Sequence, residues 1–175
     1  MLDFKNAIVK EAERLISPPN DECKPEGMGT VRFVCQTNGD CREVIEKAKA
    51  VLQVVNRHSQ GNWPDDEQWT QVLPKEFVAE FGPEMTAEAA EEEMARRRTL
   101  SLDQQANSER TTRWSMSNWI FWLQPDQRLW FWWDAAVLTE HDFVVAVETH
   151  EWPFPSGALK WLLRACGADT VEAEI

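Results

Sequence analysis

Six of the chain's ten tryptophans fall between Trp114 and Trp133, namely Trp114, Trp119, Trp122, Trp130, Trp132 and Trp133. A side chain of this bulk either fills a core or anchors a contact surface. A stretch so dense in indole rings must therefore be sandwiched between other elements or offered to a partner. Gln124-Pro125-Asp126-Gln127 fits a type I turn with Pro at its second position. The segment thus predicts a β-hairpin with strands near 114–124 and 128–138, extended into a meander by a third strand at 142–149. Strand alternation then divides the aromatic residues between two faces. Trp119, Phe121 and Leu123 point one way, and Ile120 and Trp122 the other. On the second strand Leu129, Phe131 and Trp133 alternate with Trp130 and Trp132. At least one face is expected to be core. The other, with a rim of Trp114 and Trp152, is the candidate contact surface, so the binding candidates are Trp114, Trp119, Trp122, Trp130, Trp132 and Trp152.

The rest of the chain reads mostly as helix. Phe4, Ala7, Ile8, Ala12, Leu15 and Ile16 have helical spacing over 3–16, and Pro18-Pro19 ends the run. Residues 17–30 read as a loop, and 31–36 as a strand. Asp40 is placed to cap a helix, with Glu43 three residues on as in a capping box. That helix carries Val44, Ile45, Ala48, Val51, Leu52 and Val55 on one face. Short helices are expected at 65–72 and 75–81, then a solvated one at 84–98, Glu-rich early and Arg-rich late, as the helix dipole favours. Residues 99–112 read as a mobile polar loop. Ser156 is placed to cap a final helix that stops at Gly167, and the acidic tail 169–175 reads as loose. The result is a single α+β domain over 1–175. Its antiparallel sheet of about four strands combines the Trp-rich meander 114–149 with strand 31–36, packed with helices.

At 43% hydrophobic residues the composition is that of a globular chain. A net charge of -12 opposes binding to nucleic-acid phosphates and anionic lipid, so neither nucleic acid nor membrane is expected as a partner; it suits a basic protein partner, though acidity also serves simply to keep a chain soluble. The N-terminal stretch carries Asp3, Lys5, Lys10 and Glu11 and lacks the apolar run of a secretory signal. Cys23, Cys35, Cys41 and Cys166 are irregularly spaced without a Cys-x-x-Cys pair, so reduced thiols and a cytoplasmic location are expected, with no metal and no cofactor.

One stretch carries the pattern of a reactive site. Val31-Arg32-Phe33-Val34-Cys35 reads as a strand, Gln36 to Asp40 as a polar loop, and Cys41-Arg42 as a helix start. Amides at such a junction can cradle an anion and depress a thiol pKa. The stretch resembles the phosphate loop of low-molecular-weight tyrosine phosphatases and related arsenate reductases. The resemblance covers about a dozen residues and implies Cys35 as nucleophile and Arg42 as phosphate clamp. It departs from the family in three ways. Cys and Arg stand one residue further apart, Asp40 sits where a phosphate would, and the chain has no Asp-Pro to match the family's general acid. His141 and His150 bracket the 142–149 strand, and Glu148 with His150 forms a possible acid–base pair on one face.

Three expectations of function follow. The first is a non-enzymatic binding protein with no catalytic residues, of the bacterial immunity type that blocks a basic toxin. The second is a cysteine-dependent phosphatase-like enzyme using Cys35 and Arg42. The third is a carbohydrate-binding module that stacks sugars on exposed Trp.

Overall fold

The computed structural model describes residues 3–111 and 113–174. Among these are eight helices and four strands, in the order α1 (Phe4–Ile16), β1 (Gly29–Gln36), α2 (Cys41–Ser59), α3 (Asp66–Val72), α4 (Lys75–Ala79), α5 (Ala87–Arg98), α6 (Leu102–Thr111), α7 (Met116–Leu123), β2 (Trp130–Val137), β3 (Asp142–Thr149), α8 (Gly157–Ala165) and β4 (Thr170–Ala173). The strands form one antiparallel sheet in the order β2-β3-β1-β4. The α+β class and the four-stranded antiparallel sheet expected from the sequence are present.

The strands that make the sheet differ from the expected set in two places. Residues 114–124 are not a strand. Ser115 accepts a hydrogen bond from the Asn118 N–H and starts α7 instead. Met116, Trp119, Ile120 and Leu123 then fall at i, i+3, i+4 and i+7, the spacing of a single helix face, and all four are buried. Pro125 therefore joins a helix to a strand and turns no hairpin. The fourth strand comes from the acidic tail. Thr170–Ala173 pairs with Phe33–Gln36 as β4 and places Val171 wholly inside the core. Residues 99–112, read as a loop, hold α6 from Leu102 to Thr111; residues 112 and 175 lie outside the described residues.

The helix ends correct two further readings. Asp40 caps α2 by accepting from the Arg42 N–H, without the return bond from Glu43. A reciprocal box occurs at α3, between Asp65 and Gln68. Ser156 occupies the N-cap position of α8 but makes no side-chain cap bond. Gly167 does end α8, at φ +120, where a side chain would be strained.

One face of the sheet carries Phe33, Cys35, Phe143, Val145, Val147, Trp130, Trp132 and Val171 into the main core against α2 and α8. Rings tie α7 to its neighbours. Trp119 meets Phe77 of α4 at 5.0 Å and Phe81 at 5.8 Å, and its Nε1 donates to the Ala158 carbonyl of α8 at 3.0 Å. Arg113 donates to the Ala79 and Glu80 carbonyls at the end of α4, which holds the lead-in to α7 in place.

Helix α1 lies along the outer edge of β2 and closes it. Glu11 accepts from the Trp132 N–H, and Arg14 Nε donates to the Trp132 carbonyl at 2.8 Å. The unpaired backbone groups of an edge-strand residue are thus met by two side chains one helical turn apart. Arg128 is sealed in the same region. It donates to Glu11, to Asn56 Oδ1 at 3.1 Å and to the Trp130 carbonyl at 3.0 Å, with its guanidinium over the Trp130 and Phe131 rings. Phe131, on the opposite face from Trp130 and Trp132, is covered by Ala7 and Ile8 of α1.

Candidate functional site

The 35–42 stretch carries the strongest chemical pattern in the sequence, and its side chains lie at the end of β1 and the start of α2. Cys35 points into the core and is fully buried, and burial pushes its thiol up to about 12. A nucleophilic thiol needs the opposite shift and solvent access. Arg42 stands exposed at the start of α2. Five amides of the loop and helix start, those of Thr37, Asn38, Gly39, Cys41 and Arg42, are already occupied. The Asn38 N–H donates to Asp169 Oδ2 at 2.7 Å and the Gly39 N–H to Thr37 Oγ1 at 3.1 Å. The Arg42 N–H goes to Asp40, and the Thr37 and Cys41 N–H groups go to the His141 and Glu140 carbonyls. Two of these acceptors are carboxylates, so the chain's own anions fill the cradle that a phosphate would need. The strand before the loop is antiparallel to both its neighbours, unlike the parallel sheet of the phosphatase family it resembles. Glu148 is likewise committed. It is buried and takes a hydrogen bond from Arg14 at 3.3 Å and another from the Glu26 N–H.

The six candidate tryptophans separate into two groups. Trp119, Trp130 and Trp132 are at most 1% exposed and belong to the core. A solvent-facing platform built from them is ruled out by packing. Trp114 and Trp122 are half-buried, packed against the same core. Trp152 is 50% exposed, with one side against Phe154 at 5.9 Å between ring centroids. These three do not line one common cavity; Trp114 lines a pocket beside α8.

The helices leave part of the second face of the sheet open. Strand register places on it Arg32, Val34 and Gln36 of β1, Asp142, Val144, Ala146 and Glu148 of β3, Phe131, Asp134 and Ala136 of β2, and Thr170 and Glu172 of β4. Of these only Phe131, Val144 and Glu148 are buried. Phe131 and Glu148 sit at the end covered by α1 and the 17–28 loop. The remainder forms an apolar strip, Val34, Val144, Ala146 and Ala136, with carboxylates around it. Val34 lies across from Val144 on one side and from Glu172 on the other, and Ala146 lies across from Asp134. Asp142 accepts from Thr139 and Gln36, and these bonds hold its carboxyl below the usual carboxylate range. Arg32 stands among them and pairs with Glu174 at 3.0 Å. The open part of the face is thus a half-apolar strip with carboxylates and Arg32 around it.

The sequence did not mark this face, because Asp134, Asp142 and Glu172 come together only once the register of three strands is set. A signal did exist in β1, where Arg32, Val34 and Gln36 alternate with Phe33 and Cys35. Among the described residues no group of three or more His, Cys, Asp or Glu could hold a metal ion, and no helix is long and apolar enough to cross a membrane. Comparison with protein-family models, with curated proteins and with solved structures returns no match for this chain.

Proposed function

We propose that this protein works by binding a basic protein partner through the open face of its sheet, and that it does so without catalysis. One observation carries the reading. The part of the sheet face that the helices leave uncovered combines a strip of small apolar side chains with the carboxylates of Asp134, Asp142, Glu172 and Glu174, and with Arg32 paired to Glu174. The net charge of -12 would steer a basic partner from a distance, and the strip would supply the dry centre of the contact. An inhibitor of the immunity type, which occupies and blocks a cognate toxin, is the functional class that this description suits. A cytoplasmic location accords with it, since all four cysteines are free.

The test is a comparison of two charge reversals of equal size. Asp134→Lys with Glu172→Lys alters the sheet face. Glu88→Lys with Glu91→Lys makes the same change on exposed α5. A partner recovered at low salt should bind the sheet-face variant roughly tenfold or more weaker and the α5 variant almost as well as the parent. Equal loss in both variants would mean non-specific attraction to an acidic body and would remove the basis of the proposal. Unchanged binding by the sheet-face variant would remove it too.

A further inference from the structure

A hollow of another character lies between α2, α4 and the end of α8. It measures about 420 Å³, within the range of about 300 to 1,000 Å³ that small-molecule sites span. Val51 of α2, Phe77 of α4 and Cys166, the residue that follows α8, form its buried floor. Burial pushes the Cys166 thiol up to about 12, so at neutral pH it stands as an uncharged, weakly polar wall. Ala50 of α2 and Ala79 of α4 line the hollow nearer its mouth, where both are exposed.

The charges stand at the mouth, where Lys47, Glu76 and Glu80 are exposed. Helical spacing brings them there: Lys47, Ala50 and Val51 share one face of α2, and Glu76 and Glu80 lie one turn apart on α4. Lys47 Nζ lies 3.8 Å from Glu76 Oε2, an ion pair that links α2 to α4 and occupies the one cation among the described residues lining the hollow. Glu80 is left over. Its carboxylate makes no ion pair or hydrogen bond with the described residues, and it lies close enough to the floor to act on the Cys166 thiol. The end of α8 adds an acceptor. The Leu162, Leu163 and Arg164 carbonyls take the N–H groups of Cys166, Ala168 and Gly167, while no backbone N–H of the described residues donates to the Ala165 carbonyl. The end of α4 differs, since Arg113 already donates to the Ala79 and Glu80 carbonyls. An apolar floor thus lies beneath a mouth whose unmet polar groups are acceptors.

We propose that this hollow binds a small primary amine that carries a flat apolar group, an arylalkylamine. The ring lies on the floor against Phe77 and Val51, where its removal from water stabilises the complex. The ammonium donates charge-assisted hydrogen bonds to the Glu80 carboxylate and to the Ala165 carbonyl. An anion of the same shape would meet Glu80 as a like charge, and an uncharged molecule would gain nothing from it. The site shares no residue with the open sheet face, so either proposal can fail without the other.

The experiment is calorimetric titration of the full chain with phenethylamine, phenethyl alcohol and hydrocinnamate, which share the ring and differ in charge. Phenethylamine should saturate a single site, with the alcohol and the carboxylate each roughly tenfold or more weaker. Glu80→Gln should bring phenethylamine down to the level of the alcohol. Glu88→Gln makes the same change on exposed α5 and should leave binding unaltered, which separates this site from general attraction to an acidic chain. Ala50→Phe fills the hollow from its rim and should weaken phenethylamine by about tenfold or more. Circular dichroism and melting establish that each variant is folded. If Ala50→Phe does not fold, Ala79→Phe fills the hollow from α4 instead. The proposal is overturned by an absence of saturable phenethylamine binding, or by equal binding of phenethylamine and the alcohol. Equal loss in Glu80→Gln and Glu88→Gln overturns it as well, as does full affinity retained in Glu80→Gln or in the filled variant.

Discussion

At the scale of single residues, the structure spends its most costly polar groups on architecture. Glu11 and Arg128 are almost wholly buried and are held by partners from distant segments, with both bonds to Glu11 falling on Oε1. Burial pulls the Arg128 pKa down, and the Glu11 carboxylate opposes that shift. Removing one member of such a pair strands the other without water. Glu11→Ala should therefore cost about 3–5 kcal/mol in urea unfolding, and Glu11→Gln, which keeps an acceptor for the Trp132 N–H, distinctly less. The cysteines give a second expectation. Cys35 and Cys166 are pushed by burial from 9.0 to about 12. A raised folded pKa means that their contribution is fully present below pH 9 and drains away between pH 9 and 12. The melting temperature should fall across that window, and replacing both by Ala should flatten the fall. Native chain treated with an alkylating agent near pH 8 should be labelled at Cys23, the exposed thiol, while Cys35 and Cys166 react only after denaturation. Prompt labelling of Cys35 in the native chain would return it to candidacy as a nucleophile.

At the scale of elements, α7 and β4 show where a sequence is legible and where it is not. The amphipathic helices α1 and α2 could be read directly, because their apolar residues recur at helical spacing and their ends carry Asp3, Asp40 and Pro18. In Trp119-Ile120-Phe121-Trp122-Leu123 every residue is apolar, so neither period stands out, and β-favouring aromatics tilt the reading toward a strand. What decides for a helix is the Ser115 cap and the packing of Trp119 between Phe77 and Ala158, which are contacts made across the chain. β4 failed for the opposite reason: its four residues place one apolar side chain, Val171, in the core, too little for any periodicity. The pocket beside α8 could not be read because its walls come from residues 97, 114, 155–157, 160 and 164. Truncation after Asp169 tests the standing of β4. Loss of Val171 burial alone should cost about 1.5–3 kcal/mol, seen as a lower urea midpoint. A loose tail would be removed without effect.

At the scale of the whole molecule, an excess of 12 negative charges is a standing self-repulsion that salt relieves. The melting temperature should rise from low to physiological salt, while affinity for a basic partner falls over the same range. Opposite responses in one buffer series would separate the energetics of folding from those of capture. The closure of β2 by α1 has a consequence of another kind, in time. Glu11 and Arg14 act on Trp132, which is 121 and 118 residues further along the chain. Helix α1 is therefore synthesised well before the strand it seals, and contacts of such separation form late and slow folding. Until Trp132 arrives the growing chain carries an amphipathic helix without its strand. Once β2 exists, it is an exposed strand edge for as long as α1 is undocked. The interval before α1 docks is when this protein is most open to aggregation, and a chaperone that covers the β2 edge should protect it over that interval.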